Sequence, residues 1–249
     1  MLIQFWNSIK KSFFGLATFL VVWSIISLFY ENFIVPSPLL VVKNLGSMIT
    51  EPAVVQNYWL TMYRLLIGFL FSFFCGTIIG VVSYILKINH YIENVMSLLQ
   101  VVPGVIIGSF FILIYGVGSA VPIGMIIIMI TPIVATNTVT GLLDHPKELV
   151  EVINVFGGNV FDIIKNVYIP KLYPVFKTNF LICTALSLKI IILGEFVGCD
   201  DGLGFLFNNA RIFYNMIDVY SYLVMIILTA VAFQVFIQAI FLFYWKKLN

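Results

Sequence analysis

The chain has 249 residues, 61% of them hydrophobic and 10% charged, with a net charge of +2. Soluble domains run at about 45–50% apolar and about 25% charged, so this composition belongs in a bilayer. The small charge gives no argument for nucleic acid, and three scattered cysteines (Cys75, Cys183, Cys199) give none for a disulfide framework or a zinc site.

The N-terminal stretch from Met1 to Lys11 is basic and runs into an apolar segment that ends at bulky, acidic Leu28-Phe29-Tyr30-Glu31. A signal peptide would offer small residues there, so the pattern predicts an uncleaved first span over 12–30. A crossing helix needs about 20 apolar residues. Charge-poor runs supply five more, over 61–86, 94–115, 119–140, 171–197 and 219–245. The third and fourth come from one uncharged run, divided at Tyr115-Gly116-Val117-Gly118-Ser119. Pro36 and Pro38 stop the chain after the first span. Pro103, Pro122 and Pro132 lie in or near spans three and four, where neighbouring helices must satisfy the freed backbone groups.

These runs predict an all-α, polytopic membrane protein with six transmembrane helices in one domain, 1–249. Basic residues set its orientation. An N-terminus in the cytoplasm puts Lys10, Lys11, Lys87, Lys147, Lys165, Lys171, Lys177, Lys246 and Lys247 inside. Lys43 and Arg211 fall outside, with Arg64 near the outer end of span two. Both termini, and the loop between spans four and five, are then cytoplasmic.

That loop is a charged, amphipathic island. Leu149, Val152, Ile153 and Phe156 recur at helical spacing, with Lys147, Glu148, Glu151 and Asn154 opposite. Lys147 and Glu151 stand at pairing distance, i and i+4. Gly157-Gly158 predicts a helix stop, and Asn159 an N-cap with Asp162 at the third position. A second short helix follows, and Pro170 marks the start of span five. Such a hairpin lies in the headgroups or docks on a protein. An acidic polar face suits an anionic leaflet poorly, which favours docking.

The spacing Glu151-Val152-Ile153, three residues, Gly157, nine residues, Val167-Tyr168-Ile169-Pro170 resembles the cytoplasmic loop of permease subunits of bacterial ABC importers. That loop reads E-A-A, three residues, G, nine residues, I-x-L-P; here the alanines, the first Ile and the Leu are replaced. The resemblance extends over most of the chain. Thr61-Met62-Tyr63-Arg64 with Gly68, Gly76 and Gly80 is similar to span two of these permeases, and Val102-Pro103 with Gly116-Val117-Gly118 to span three and its outer turn. Glu195-Phe196 with Gly202-Leu203-Gly204 is similar to the outer end of span five. With Pro36-Ser37-Pro38, these point to the binding-protein-dependent branch that imports nitrate, sulfonates, taurine, bicarbonate or thiamine precursors.

The resemblance implies a permease that forms the translocation pathway for a small solute: an organic or inorganic anion such as a sulfonate, or a thiamine-precursor-like compound. Its implied partners are ABC ATPase subunits, a second permease copy (a homodimer being common) and an extracellular or periplasmic solute-binding protein. Its implied place is the bacterial inner membrane. The ATPase-docking loop maps onto Glu148, Glu151, Val152, Val155, Phe156, Gly157, Gly158 and Pro170. ATP and Mg would sit on the partner, and this sequence has no G-x-x-x-x-G-K-[ST] loop. The chain is expected to be no enzyme and to hold no metal or cofactor. His90 and His145 stand alone in loops.

Pathway candidates are Lys189, Arg64, Glu195 and Pro103. Ionisable groups in spans face protein or water. Arg64 and Glu195 also fit a simpler role as anchors or as each other's partner. Lys189 departs from the family, which has an uncharged residue there. It either offers charge to an anionic solute or meets a group on a neighbouring helix. An ATP-independent secondary transporter is the competing class, and it leaves the 148–170 spacing unexplained.

Overall fold

The structure is a computed structural model that describes residues 2–144 and 146–248, with side chains for 15, 17–144, 146, 148–237 and 239. His145 and the side chains of Lys10, Lys11, Lys147, Lys246 and Lys247 lie outside the described residues, and part of the orientation argument rests on those lysines. Eleven α-helices follow in chain order: α1 (Leu2–Phe29), α2 (Pro38–Met48), α3 (Pro52–Ile85), α4 (Asn89–Val101), α5 (Gly104–Tyr115), α6 (Ala120–Leu143), α7 (Lys147–Val155), α8 (Val160–Ile163), α9 (Ile169–Gly198), α10 (Leu203–Ile212) and α11 (Met216–Leu248). A π turn, Ile164–Tyr168, joins α8 to α9.

Four helical stretches among the described residues are long and apolar enough to cross a bilayer: Pro52–Ile85, Ala120–Leu143, Val160–Gly198 and Met216–Ile237. The expected third span departs from a straight crossing. Helices α4 and α5 meet at 88° around Val102-Pro103. Proline disfavours helical backbone at the residue before it, and Val102 is accordingly extended, with ψ 123°. The pair counts as one crossing only if a bent helix does. Of α1, the described side chains supply the apolar stretch Ala17–Phe29. The described residues therefore supply four spans, or five with the bent pair, where the charge-free runs predict six.

Two further boundaries differ. Pro170 stands in the first turn of α9, as expected, but helical structure runs without a break from Val160 through the π turn to Gly198. A proline ring collides with the turn before it, and here that turn is the widened Ile164–Tyr168 segment. Pro38, expected only to stop the first span, opens α2. Ser37 caps that helix by accepting from the Leu40 amide at 3.4 Å.

The chain forms two compact units, 1–57 with 206–228 and 58–205 with 229–249. In the first, Asn44 on α2 donates to Asp218 at 2.8 Å and to Ser221 at 3.1 Å, both on α11. Trp23 on α1 stacks on Tyr220 and donates to the Pro36 carbonyl at 3.1 Å. In the second, α6 is the buried centre, with Met125, Ile126, Ile130, Val134 and Ala135 at 0% exposure.

Helices pack on α6 through missing side chains. A Cβ at Gly76 of α3 would stand 2.7 Å from the Thr131 carbonyl oxygen, and one at Gly80 2.7 Å from Thr138 Cβ. On the α9 side a Cβ at Gly194 would stand 2.6 Å from Pro122 Cα. Lipid provides no hydrophobic drive between helices, so close backbone approach supplies the contact energy. Gly76→Val is expected to cost about 1–3 kcal/mol by overpacking. The unfolding midpoint in detergent should fall by several °C. Gly46→Ala, at a position open to space, should leave that midpoint unchanged or slightly higher.

Candidate functional site

Two constellations concern function, and the first lies at the turns after α5 and α9. Arg64, one helical turn after Thr61 on α3, is 1% exposed, and Glu195 near the end of α9 is 0% exposed. Arg64 Nη1 donates to Glu195 Oε1 at 3.0 Å, and its Nε donates to Ser119 Oγ at 2.9 Å. The remaining guanidinium hydrogens reach the Asp201 carbonyl at 3.2 Å and the Asp201 carboxylate.

Glu195 is equally saturated. Thr61 Oγ1 lies 2.9 Å from both its oxygens, and the Gly204 amide donates to Oε2 at 3.0 Å. Thr61 in turn accepts from the Leu203 amide at 2.9 Å. Gly202 has φ +96°, and a Cβ there would fall 2.3 Å from the Glu195 carboxyl carbon. Only glycine suits both that backbone and that space. The Gly118 amide also donates to the Gly198 carbonyl at 2.9 Å.

The network therefore holds α3, the 116–119 turn, the end of α9 and the 199–204 loop together. Both charges are buried and bonded to each other, one of the two roles that the sequence leaves open. Asp201 and Ser119 were not singled out by sequence, since no spacing rule brings loop residues to a distant helix. Thr61, at i−3 from Arg64, gave the one local signal.

The second constellation is the 147–170 loop. Helix α7 ends at Phe156, and Gly157 has φ +76°. The Gly158 amide returns to the Ile153 carbonyl at 2.8 Å. Asn159 and Asp162 form a reciprocal capping box, at 3.0 and 2.9 Å. The break and cap read from the sequence are therefore both present. No described residue from 148 to 163 is buried. Val155 and Phe156 are 82% and 86% exposed, and Leu149 and Val152 about half. Glu148 and Glu151 are exposed on the polar face.

At the base of this loop Asp144 pairs with Lys171. The lysine ammonium holds the Asp144 carboxyl below its usual range. Tyr168, in the π turn, meets Tyr84 at the end of α3, with hydroxyls 3.2 Å apart.

Of the pathway candidates, Pro103 is exposed at the corner between α4 and α5. Lys189 is exposed two-thirds of the way along α9. Among the described residues it forms no ion pair or hydrogen bond.

Apolar crossing helices and glycine-mediated packing define a multi-pass membrane protein. The family model "binding-protein-dependent transport system inner membrane component" matches residues 68–247. The chain belongs to this family of ABC transporter permeases. A putative aliphatic sulfonates transport permease from Bacillus subtilis is 26% identical over 193 residues, 76% of this chain and 68% of that protein. A riboflavin transport system permease from Chloroflexus aurantiacus is 28% identical over 185 residues, 73% of this chain and 68% of that one. The sulfonate relative falls in the branch to which the sequence resemblance points.

In fold, the chain is similar to an inward-facing structure of the MetNI methionine ABC transporter, at 21% identity and TM-score 0.65, covering 76% of this chain and 94% of that one.

Removing one partner of a buried ion pair strands the other charge, at about 3–5 kcal/mol. Arg64→Met should therefore lower the thermal unfolding midpoint in detergent sharply. Arg64→Met combined with Glu195→Gln should recover part of the loss, as a double-mutant cycle on that midpoint would read.

Proposed function

We propose that this chain is the membrane permease of an ATP-driven importer and forms half of a translocation pathway for a small solute. The observation that carries this reading is the exposed apolar knuckle from Leu149 to Phe161, held in one shape by Gly157 and by the Asn159–Asp162 box. Val155, Phe156, Val160 and Phe161 present large apolar surface beside Glu148 and Glu151. Monomeric soluble faces rarely leave a contiguous patch of this kind without a partner. The knuckle seats in a cleft of a separate ABC ATPase subunit, which binds ATP and Mg and hydrolyses the nucleotide.

Movement of that cleft reaches the spans through a short, stiff route. The knuckle continues into α9 without a helix break. The Asp144–Lys171 pair ties the end of α6 to the start of α9, and Tyr84–Tyr168 ties the end of α3 to the π turn. A push on α7 thus arrives at three helices together.

The full assembly holds two permease copies, two ATPases and an extracellular binding protein that delivers the solute. The chain crosses the inner membrane of a bacterial cell six times, the bent α4–α5 pair and α1 included, with both termini in the cytoplasm. The basic residues of its sequence support that orientation. The solute is a small anion such as a sulfonate, or a thiamine-precursor-like compound, in line with the relatives' branch.

Co-expression of the tagged chain with the ATPase of the same operon tests the docking. Phe156→Asp places a charge at the centre of the contact, where hot-spot losses are about 2 kcal/mol or more. Copurified ATPase should fall at least tenfold. Gly157→Val forces a β-branched residue into positive φ, and should reduce both ATPase stimulation and uptake. Unchanged assembly and uptake in both variants would refute the docking role.

A further inference from the structure

Lys189 raises a physical problem. It projects from the middle of an apolar helix, is exposed, and has no ion-pair or hydrogen-bond partner among the described residues. An ammonium at membrane depth is costly unless water or an opposite charge meets it. The carboxylates of this chain are few, and at the depth of α9 the nearest in sequence is Glu195, which is fully buried and bonded to Arg64, Thr61 and Gly204.

The surface leading away from Lys189 is furrowed. Two concavities line up along the exposed stripe of α9, and they share Ile182. The nearer one, of about 340 Å³, holds Leu186, three residues before Lys189, and the amide of Gln234 on α11. The farther one, of about 460 Å³, is lined by Asn137, Thr178 and Asn179 and ends at the Asp144–Lys171 pair. Beside it the fully buried Asn179 accepts from Asn137 at 2.7 Å, while its own amide nitrogen has no partner. From Lys189 to Lys171 the stripe runs about 27 Å at helical rise, close to the thickness of the hydrocarbon core.

Lipid-facing helices do not need such a run of amides and hydroxyls. We infer that this furrow is the wall of the solute path on this subunit, and that Lys189 makes it selective for anions, drawing a small anionic solute toward the docking-loop end. The inference rests on the permease reading; of the solutes named there it takes the anion, and it adds the surface and the residue that set that preference.

The test uses the full-length chain in membrane vesicles, with Cys75, Cys183 and Cys199 replaced by alanine and a reporter introduced by Ile182→Cys. Two methanethiosulfonate reagents of similar size, one carrying a sulfonate and one a trimethylammonium, are applied from the docking-loop side. Ile182 lies seven residues from Lys189, about 10 Å along the helix. At that distance, in an intermediate dielectric, one unit charge alters the local concentration of a monovalent ion about tenfold.

The sulfonate reagent should react faster, and Lys189→Met should lower the ratio of the two rates about a hundredfold, because the charge favours the anion and disfavours the cation about tenfold each. Lys189→Arg should keep the ratio, which a merely structural lysine would not require. If Lys189→Met fails to insert, Lys189→Gln gives the same reading.

The inference is overturned if neither charged reagent reaches the reporter while a membrane-permeant maleimide does, because the stripe then faces lipid. It is also overturned if the ratio ignores residue 189. The labelling needs no ATPase. A chain that shows the anion preference but retains no ATPase would refute the docking reading and leave this one standing.

Discussion

One buried carboxylate organises the second unit of this protein. Glu195 accepts from a guanidinium, a hydroxyl and a backbone amide that arrive from two elements: Arg64 and Thr61 from α3, and the Gly204 amide from the start of α10. A carboxylate removed from water is tolerated only when its lone pairs are met in this way. The arrangement explains two local oddities at once. Gly202 and Gly204 must lack side chains because the Glu195 side chain and the α9 backbone occupy that space. The loop from Cys199 to Gly202 is held because the Arg64 guanidinium also grips Asp201.

With one end of α3 and α9 fastened, the other end leads toward the 147–170 loop. There the contacts are sparser and more exposed: one ion pair at the surface, one pair of tyrosine hydroxyls and a widened helical turn. Buried polar contacts thus gather at one end of the second unit, and α6, packed through glycines on both sides, supplies the common surface.

Much of the local structure of the 147–170 loop was legible in the sequence because its signals are local. An apolar period of 3.6 residues, two glycines and an Asn-x-x-Asp cap each act within one turn of chain, so α7, the Gly157 break and the capping box appear where the pattern places them. The broad class was legible from composition, and the family from motifs in order. Long-range geometry was not. Pro103 could mark a kink within a span or a corner between helices, and only packing decides for the 88° corner. Arg64 and Glu195 were visible as ionisable residues in spans, but 131 positions separate them. Ser119 and Asp201 carry no pattern that would pick them out. The bend in the third run was hidden for a related reason: charge-free runs measure how apolar a segment is, not whether it continues straight.

The π turn between Ile164 and Tyr168 has a consequence of its own. A π turn is an α-helix that has absorbed one additional residue. Each residue of an α-helix advances the azimuth by about 100°. The widened turn takes up that residue locally, so losing one there closes it to plain α-helix and leaves the azimuth of the knuckle nearly unchanged. Losing one from the first turns of α9 has no such slack and swings the apolar side of the knuckle about a quarter-turn round the axis. The π turn is thus a reserve of phase between the knuckle and the long helix that carries it.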